Sequence, residues 1–278
     1  MTDVSHSDSG PAGAAPETVS LPTQPSIRRL DMEEPWAWLA AGWRDLRAAP
    51  SASLPYGLVF AAIGILMSAL IAVYHVFYVA LPVAAGFMLV GPIAAVGLYE
   101  ISRRLAAGKE PTLGHALAAF RANPGQVAFF GVILLVINLA WVRLAFLIFM
   151  LFFSGRPPRP EPLGLIDVFF QPSSIAFLAT GTAVGAVLAA LTFAISAVSI
   201  PMLLDRPQTN VIQAMVTSFE AVRQNPRPMF LWAWLIVLFI GAGIVTGFVG
   251  LIITLPLIGH ASWAAYRAVV VWPDEQAS

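Results

Sequence analysis

The sequence predicts an all-α membrane protein: six transmembrane helices in three hairpins, each preceded by a short amphipathic interfacial helix in a pseudo-threefold internal repeat. Three observations lead there. The 278 residues are 58% hydrophobic and 11% charged, with a mean hydropathy of +0.79, whereas an average soluble domain is roughly 25% charged. Apolar runs of bilayer-spanning length recur along the chain. An Arg-x-x-Pro signature stands before three of them.

In chain order, residues 1–26 are rich in Ser, Pro, Ala, Thr and Gly and contain no apolar core of the kind a signal peptide needs, which predicts a disordered tail. A single membrane domain is expected over 27–272, followed by a short tail at 273–278. A bilayer core about 30 Å thick needs about 20 helical residues. On that measure the spans fall near 54–75, 78–101, 126–147, 174–204, 228–247 and 249–270. Tight joins are expected at His75 and at Gly247-Phe248, and an irregular connection over 154–173, where Pro157, Pro158, Pro160 and Pro162 cluster. Twelve cations, among them Arg44, Arg103, Lys109, Arg206, Arg227 and Arg267, fall on one side of this arrangement, and Arg156 and Arg159 on the other. The positive-inside rule then puts both termini in the cytoplasm, most naturally at a bacterial inner membrane.

The repeat is read by aligning Pro50, Pro124 and Pro226. Arg47, Arg121 and Arg223 each stand three residues earlier. Counting back four, seven and eleven gives Leu46, Trp43 and Leu39, then Phe120, Leu117 and Leu113, then Val222, Phe219 and Met215. This apolar stripe at helical spacing predicts an amphipathic helix before each proline. Thr112 and Asn210 suit N-caps, and Glu34-Pro35 suits a first turn. The repeats run over about 35–103, 112–206 and 210–270, and each second span carries a proline, Pro92, Pro201 or Pro256, expected to kink it. Gly181-x-x-x-Gly185 and Gly243-x-x-x-Gly247 are weak helix-packing signals.

Polar residues in apolar surroundings are the candidate functional positions. Arg47, Arg121 and Arg223 either snorkel at helix ends or converge on an anionic lipid headgroup or solute. Arg143 lies far enough along the third span to snorkel at the outer interface; the alternative is an arginine buried in the bundle near Asn138. Glu100 has Arg103 and Arg104 at ion-pair spacing. Asp205 and His260 each follow a span proline by four residues, and His260 suits an interhelical hydrogen bond. The absence of cysteine rules out disulfides, thiolate metal sites and Cys nucleophiles. Hydrolase, metalloprotease, Walker and dinucleotide motifs are missing, so no enzyme activity, metal or cofactor is expected, and with a formal net charge of zero no nucleic-acid partner either.

Three stretches together resemble a known family: "PWAWLAAGWRDLRAAPSASLPYG" at 35–57, "GFMLVGPIAAVGLYEISRRLAAGKEP" at 86–111 and "LPLIGHASWAAYR" at 255–267. They are similar to the bacterial integral membrane proteins grouped as DUF2189, a domain of unknown function, over roughly 27–272. The family pattern often has a further His directly after the Trp of the last stretch, where this chain has Ala264. Some members carry the label of a cytochrome c oxidase subunit, but four dispersed histidines, His6, His75, His115 and His260, do not suit an oxidase catalytic subunit. The resemblance thus implies a membrane fold and no activity. Four functions stay open: a non-enzymatic scaffold or accessory factor for a membrane protein complex, a small-solute transporter or channel, an anionic-lipid-binding protein, and last an intramembrane enzyme.

Overall fold

The computed structural model describes residues 24–75, 91–154 and 174–276. Its elements are β1 (Ser26–Ile27), α1 (Glu34–Ala48), α2 (Pro50–Val73), α3 (Val96–Ala106), α4 (Leu113–Ala118) with a 3-10 turn Ala119–Arg121, α5 (Pro124–Phe153), α6 (Ser174–Ser196), α7 (Ser199–Asp205), α8 (Val211–Gln224), α9 (Pro226–Val245), α10 (Leu251–Val269), β2 (Val270–Val271) and α11 (Pro273–Gln276).

Among the described residues four helices are long and apolar enough to cross a membrane: Pro50–Val73, Pro124–Phe153, Ser174–Asp205 and Pro226–Val245. The predicted span at 78–101 falls largely on 76–90, outside the described residues, and shows only a helical turn at 91–94 and then α3. The predicted span at 249–270 is α10, long enough at 19 residues but diluted by His260, Ser262, Tyr266 and Arg267. Thirteen of those 19 residues are buried. A helix sheltered by protein on most sides can carry polar groups that a lipid-facing helix cannot.

The prolines set the joints. Pro50, Pro124 and Pro226 open α2, α5 and α9, the position where a missing N–H costs nothing. The residues before them share one non-helical backbone conformation: Ala49 (φ −133, ψ 55), Asn123 (−146, 65) and Asn225 (−126, 54). A proline ring disfavours the α conformation in its predecessor, and at these three joints the preceding helix stops and the chain turns at once. Thr112 Oγ1 accepts from the His115 N–H at 3.3 Å and Asn210 Oδ1 from the Gln213 N–H at 2.8 Å, capping α4 and α8. The chain breaks at Ala95, three residues after Pro92, and again at Ala197 and Val198, just before Pro201. Pro256, by contrast, lies inside an unbroken α10.

α10 is the post around which α1, α2, α3 and α9 pack. Glycines allow the approach: a Cβ on Gly42 of α1 would stand 2.6 Å from the Leu257 carbonyl oxygen and 2.7 Å from the Ala261 nitrogen. One on Gly57 of α2 would stand 2.6 Å from the carbonyl oxygen of Ile252. That carbonyl is the one Pro256, lacking an N–H, cannot bond. The predicted glycine motifs divide: Gly243 of α9 is buried, and a Cβ there would stand 2.5 Å from Thr254 Oγ1 and 2.6 Å from Leu251 Cδ2 of α10, whereas Gly181 has open space around it among the described residues and Gly185 faces the Trp141 ring. Gly247 (φ +67) and Phe248 (φ +68) form the left-handed turn between α9 and α10, and His75 (φ 54) has the same hand at the end of α2.

The apolar stripe of the short helices is wider than their buried face. Leu39 and Leu46 are buried, whereas Trp43, Leu117 and Phe219, the middle row, are 44%, 57% and 49% exposed. The two ends of the described chain meet: Ser26 and Ile27 pair antiparallel with Val271 and Val270. Asn225 clamps the strap that follows, accepting from the Leu30 N–H at 2.8 Å and donating to the Arg28 carbonyl at 3.0 Å. Asn123, its counterpart before α5, donates to the Pro207 carbonyl at 3.4 Å.

Candidate functional site

Four helices meet at one buried polar chain. Ser53 Oγ, in the first turn of α2, lies 2.9 Å from His260 Nε2. Ser102 Oγ, on α3, lies 2.9 Å from His260 Nδ1 and donates to Asp45 Oδ2 of α1 at 2.6 Å. Ser53 and His260 are 0% exposed and Ser102 1%. Asp45, at the end nearest water, is half-buried, and that burial pushes its carboxyl above the ordinary range against the pull of Ser102 and Arg44.

With Asp45 ionised, the chain has one consistent proton arrangement. A hydroxyl owns one hydrogen, and Ser102 gives its own to the Asp45 carboxylate. Ser102 must therefore accept from His260, which assigns the imidazole proton to Nδ1. Nε2 is then an acceptor, and Ser53 donates to it. Every donor points the same way, from Ser53 toward Asp45, an order that strengthens each bond in the series. A serine hydrogen-bonded to an oriented histidine is also the arrangement that activates a nucleophile. Ser53 is wholly enclosed, however, so no substrate carbonyl reaches its oxygen in this conformation. What the chain does here is join α1, α2, α3 and α10.

His260 was singled out by the sequence; Ser53, Ser102 and Asp45 were not, since serines and a surface-helix aspartate carry no helical-period signal. A signal did exist. All four lie within the three stretches that carry the family resemblance.

Asp205 closes a second cluster, accepting from Tyr266 Oη at 2.9 Å with Arg267 at 3.5 Å. Trp272 Nε1 donates to the same Tyr266 oxygen at 3.2 Å, and Arg206 lies over the Trp272 ring at 4.8 Å while pairing with Asp274 at 2.9 Å. Asp205 and His260, matched in sequence after their prolines, thus serve separate networks. Glu100 is buried at 6% exposure and held by Arg103 at 2.8 Å and Arg104 at 3.8 Å, the spacings read from the sequence.

Arg143 is exposed on the outer face of α5. Asn138, one turn and a half earlier, has a buried Oδ1 with no partner among the described residues. The three repeat arginines are all exposed, and two of them are engaged locally: Arg47 lies 5.9 Å from the Trp43 ring centroid, and Arg223 grips Glu220 through Nε at 2.8 Å and a terminal nitrogen at 2.7 Å. Among the described residues no group of three His, Asp or Glu side chains is placed to hold a metal ion. A cavity of about 730 Å³ opens between the start of α5 and α8, lined by Gln126, Phe129, Asn210, Ile212, Val216 and Glu220 among others.

Comparison with curated proteins and with solved structures finds no match. Comparison with family models matches residues 79–205 to DUF2189, described as a predicted integral membrane protein; the matched segment takes in the Glu100 to Ser102 turn and Asp205, and over it the chain is similar to that family.

Proposed function

We propose that the chain is a non-enzymatic scaffold or accessory factor for a membrane protein complex, built from six spans with three related units and with both termini in the cytoplasm of a bacterial inner membrane. One observation carries this reading. The ionisable groups that the bundle encloses are spent on one another: His260 on Ser53 and Ser102, Asp205 on Tyr266 and Arg267, Glu100 on two arginines. Meanwhile α2, α5 and α9 turn large apolar side chains outward. A transport path needs polar groups left free to exchange partners with a solute. A scaffold needs rigid joints and an apolar exterior, which this arrangement supplies.

The six-span reading draws support from the β1–β2 pairing, which brings both ends of the chain to one face as an even number of spans requires. The repeat draws support from the common backbone of Ala49, Asn123 and Asn225. The cytoplasmic side follows from the arginine distribution. Binding of an anionic lipid by Arg47, Arg121 and Arg223 stays a possible accessory property, since each lies exposed beside a span.

The test is paired. Protein reconstituted in proteoliposomes is assayed for ion and small-solute flux, and protein drawn from its native membrane in nanodiscs is weighed intact. A stoichiometric protein partner without flux supports the scaffold. Flux that disappears in His260→Ala, with the fold retained, overturns it in favour of transport.

A further inference from the structure

We propose that the cleft between the start of α5 and α8 binds one membrane phospholipid with a primary-ammonium headgroup. The cleft holds about 730 Å³ and its lining has two characters. Phe129, Ile212 and Val216 form an apolar wall, 51%, 57% and 62% exposed although they are large hydrophobic side chains. Gln126, Asn210 and Glu220 form a polar rim. Gln126 is in the first turn of a helix long and apolar enough to cross the membrane, so the cleft lies at the end of a span, where acyl chain and headgroup part. An amphiphile fits such a lining, and a soluble metabolite does not.

Charge selects the headgroup. The helix end of α8 offers an anion little, because the Val211 N–H is already given to Gln126 Oε1 and the Gln213 N–H to Asn210 Oδ1, each at 2.8 Å. Among the described residues Glu220 is the one titratable side chain in the lining. Arg223 and Gln224 hold its carboxyl down to about 2, so it is ionised at any ordinary pH. They use three of the carboxylate's roughly four acceptor positions, leaving one on Oε2. A primary ammonium fills that position. The lipid phosphate then falls toward Arg223, 65% exposed on the next turn. The zwitterion thereby lies head to tail along the Glu220–Arg223 pair. A choline headgroup has no N–H to donate, and a glycerol headgroup brings net negative charge to a carboxylate.

The experiment loads the protein into nanodiscs containing equal amounts of phosphatidylethanolamine, phosphatidylcholine and phosphatidylglycerol with identical acyl chains, and counts retained lipids by native mass spectrometry. One retained phosphatidylethanolamine, favoured roughly tenfold over phosphatidylcholine, is the expected result, the worth of one charge-assisted hydrogen bond. Glu220→Gln brings the two lipids level, and Val216→Trp, which fills the cleft from an exposed position, removes the retained lipid of every class. Ile212→Trp replaces Val216→Trp if that variant fails to fold. Equal retention of all three classes by the wild type, a lead for phosphatidylglycerol, or an ethanolamine preference that survives both variants overturns the proposal. None of these outcomes depends on whether the chain is a scaffold.

Discussion

Ser53 and His260 stand 207 residues apart in the chain and 2.9 Å apart in the fold, with both side chains closed to water. The imidazole bridges two hydroxyls; when the ring is removed Ser53 loses its acceptor, while Ser102 keeps Asp45. His260→Ala should therefore lower stability by about 2–5 kcal/mol, a buried cavity added to one unsatisfied hydroxyl. Ser53→Ala strands only Nε2 and should cost about 1–3 kcal/mol. Thermal unfolding in nanodiscs measures both. Wild-type stability in either variant would mean that the relay is not a joint of the fold.

The water-side end of the same chain titrates. Burial raises the Asp45 carboxyl above its ordinary value of 3.8. A group whose folded-state value is raised stabilises the fold when protonated: its contribution is full below 3.8 and is lost as pH climbs through the raised value. Asp45→Asn still accepts the Ser102 hydrogen and does not titrate. The melting temperature of the wild type minus that of Asp45→Asn should therefore fall as pH rises from below 3.8 toward neutrality. A difference that rises over that window would mean that Ser102 and Arg44, not burial, dominate the carboxylate.

Two glycines give opposite signs. Gly42→Ala drives a methyl against the backbone of α10 at 2.6 and 2.7 Å, where nothing flexible can yield, and should cost about 1–3 kcal/mol. Gly181→Ala meets nothing within 4 Å among the described residues, in the interior of α6, and should gain about 0.5–1 kcal/mol from helix propensity. Paired unfolding curves decide. If Gly181→Ala is the damaging one, α6 packs more closely than its surroundings here indicate.

These glycines also mark what a sequence reveals about such a fold. Joints written in one residue type and its neighbour are legible: Pro50, Pro124 and Pro226 announce their helix starts, Thr112 and Asn210 their caps, and Gly247-Phe248 its turn. Contacts made between distant helices are not. The Gly-x-x-x-Gly spacing pointed to Gly243, which does pack closely on α10, and to Gly181, which does not, while the backbone crossings use Gly42 and Gly57, isolated glycines set by the partner backbone of α10. The site was legible to the same degree. His260 stands out as a lone imidazole in an apolar run, but Ser53, Ser102 and Asp45 become its partners only through tertiary packing.

Asn225 ties the N-terminal strap to the bundle through Leu30 at 2.8 Å and Arg28 at 3.0 Å. Asn225→Ala removes both bonds, which are part-buried, and should release the strap, at about 0.5–1.5 kcal/mol for each bond lost. Limited proteolysis should then cut at Arg28 or Arg29 while the wild type stays whole, and the Leu30 amide should exchange faster with deuterium. Unchanged exchange at Leu30 would assign the strap's hold to the β1–β2 ribbon alone.

Arg143 lies on the outward face of α5, nineteen residues beyond Pro124. At about 1.5 Å per residue that is about 28 Å along the helix, against a hydrocarbon core of about 30 Å. A guanidinium on a flexible stem spans the remaining distance to headgroups at little cost. Arg143→Leu should therefore insert and fold as the wild type does. Because the chain has no cysteine, Arg143→Cys gives a single reporter, expected to react with a membrane-impermeant maleimide from the face opposite that which modifies Lys109→Cys. Reaction of both from one face would place the helix start and Arg143 on the same side, and the third predicted span would not cross.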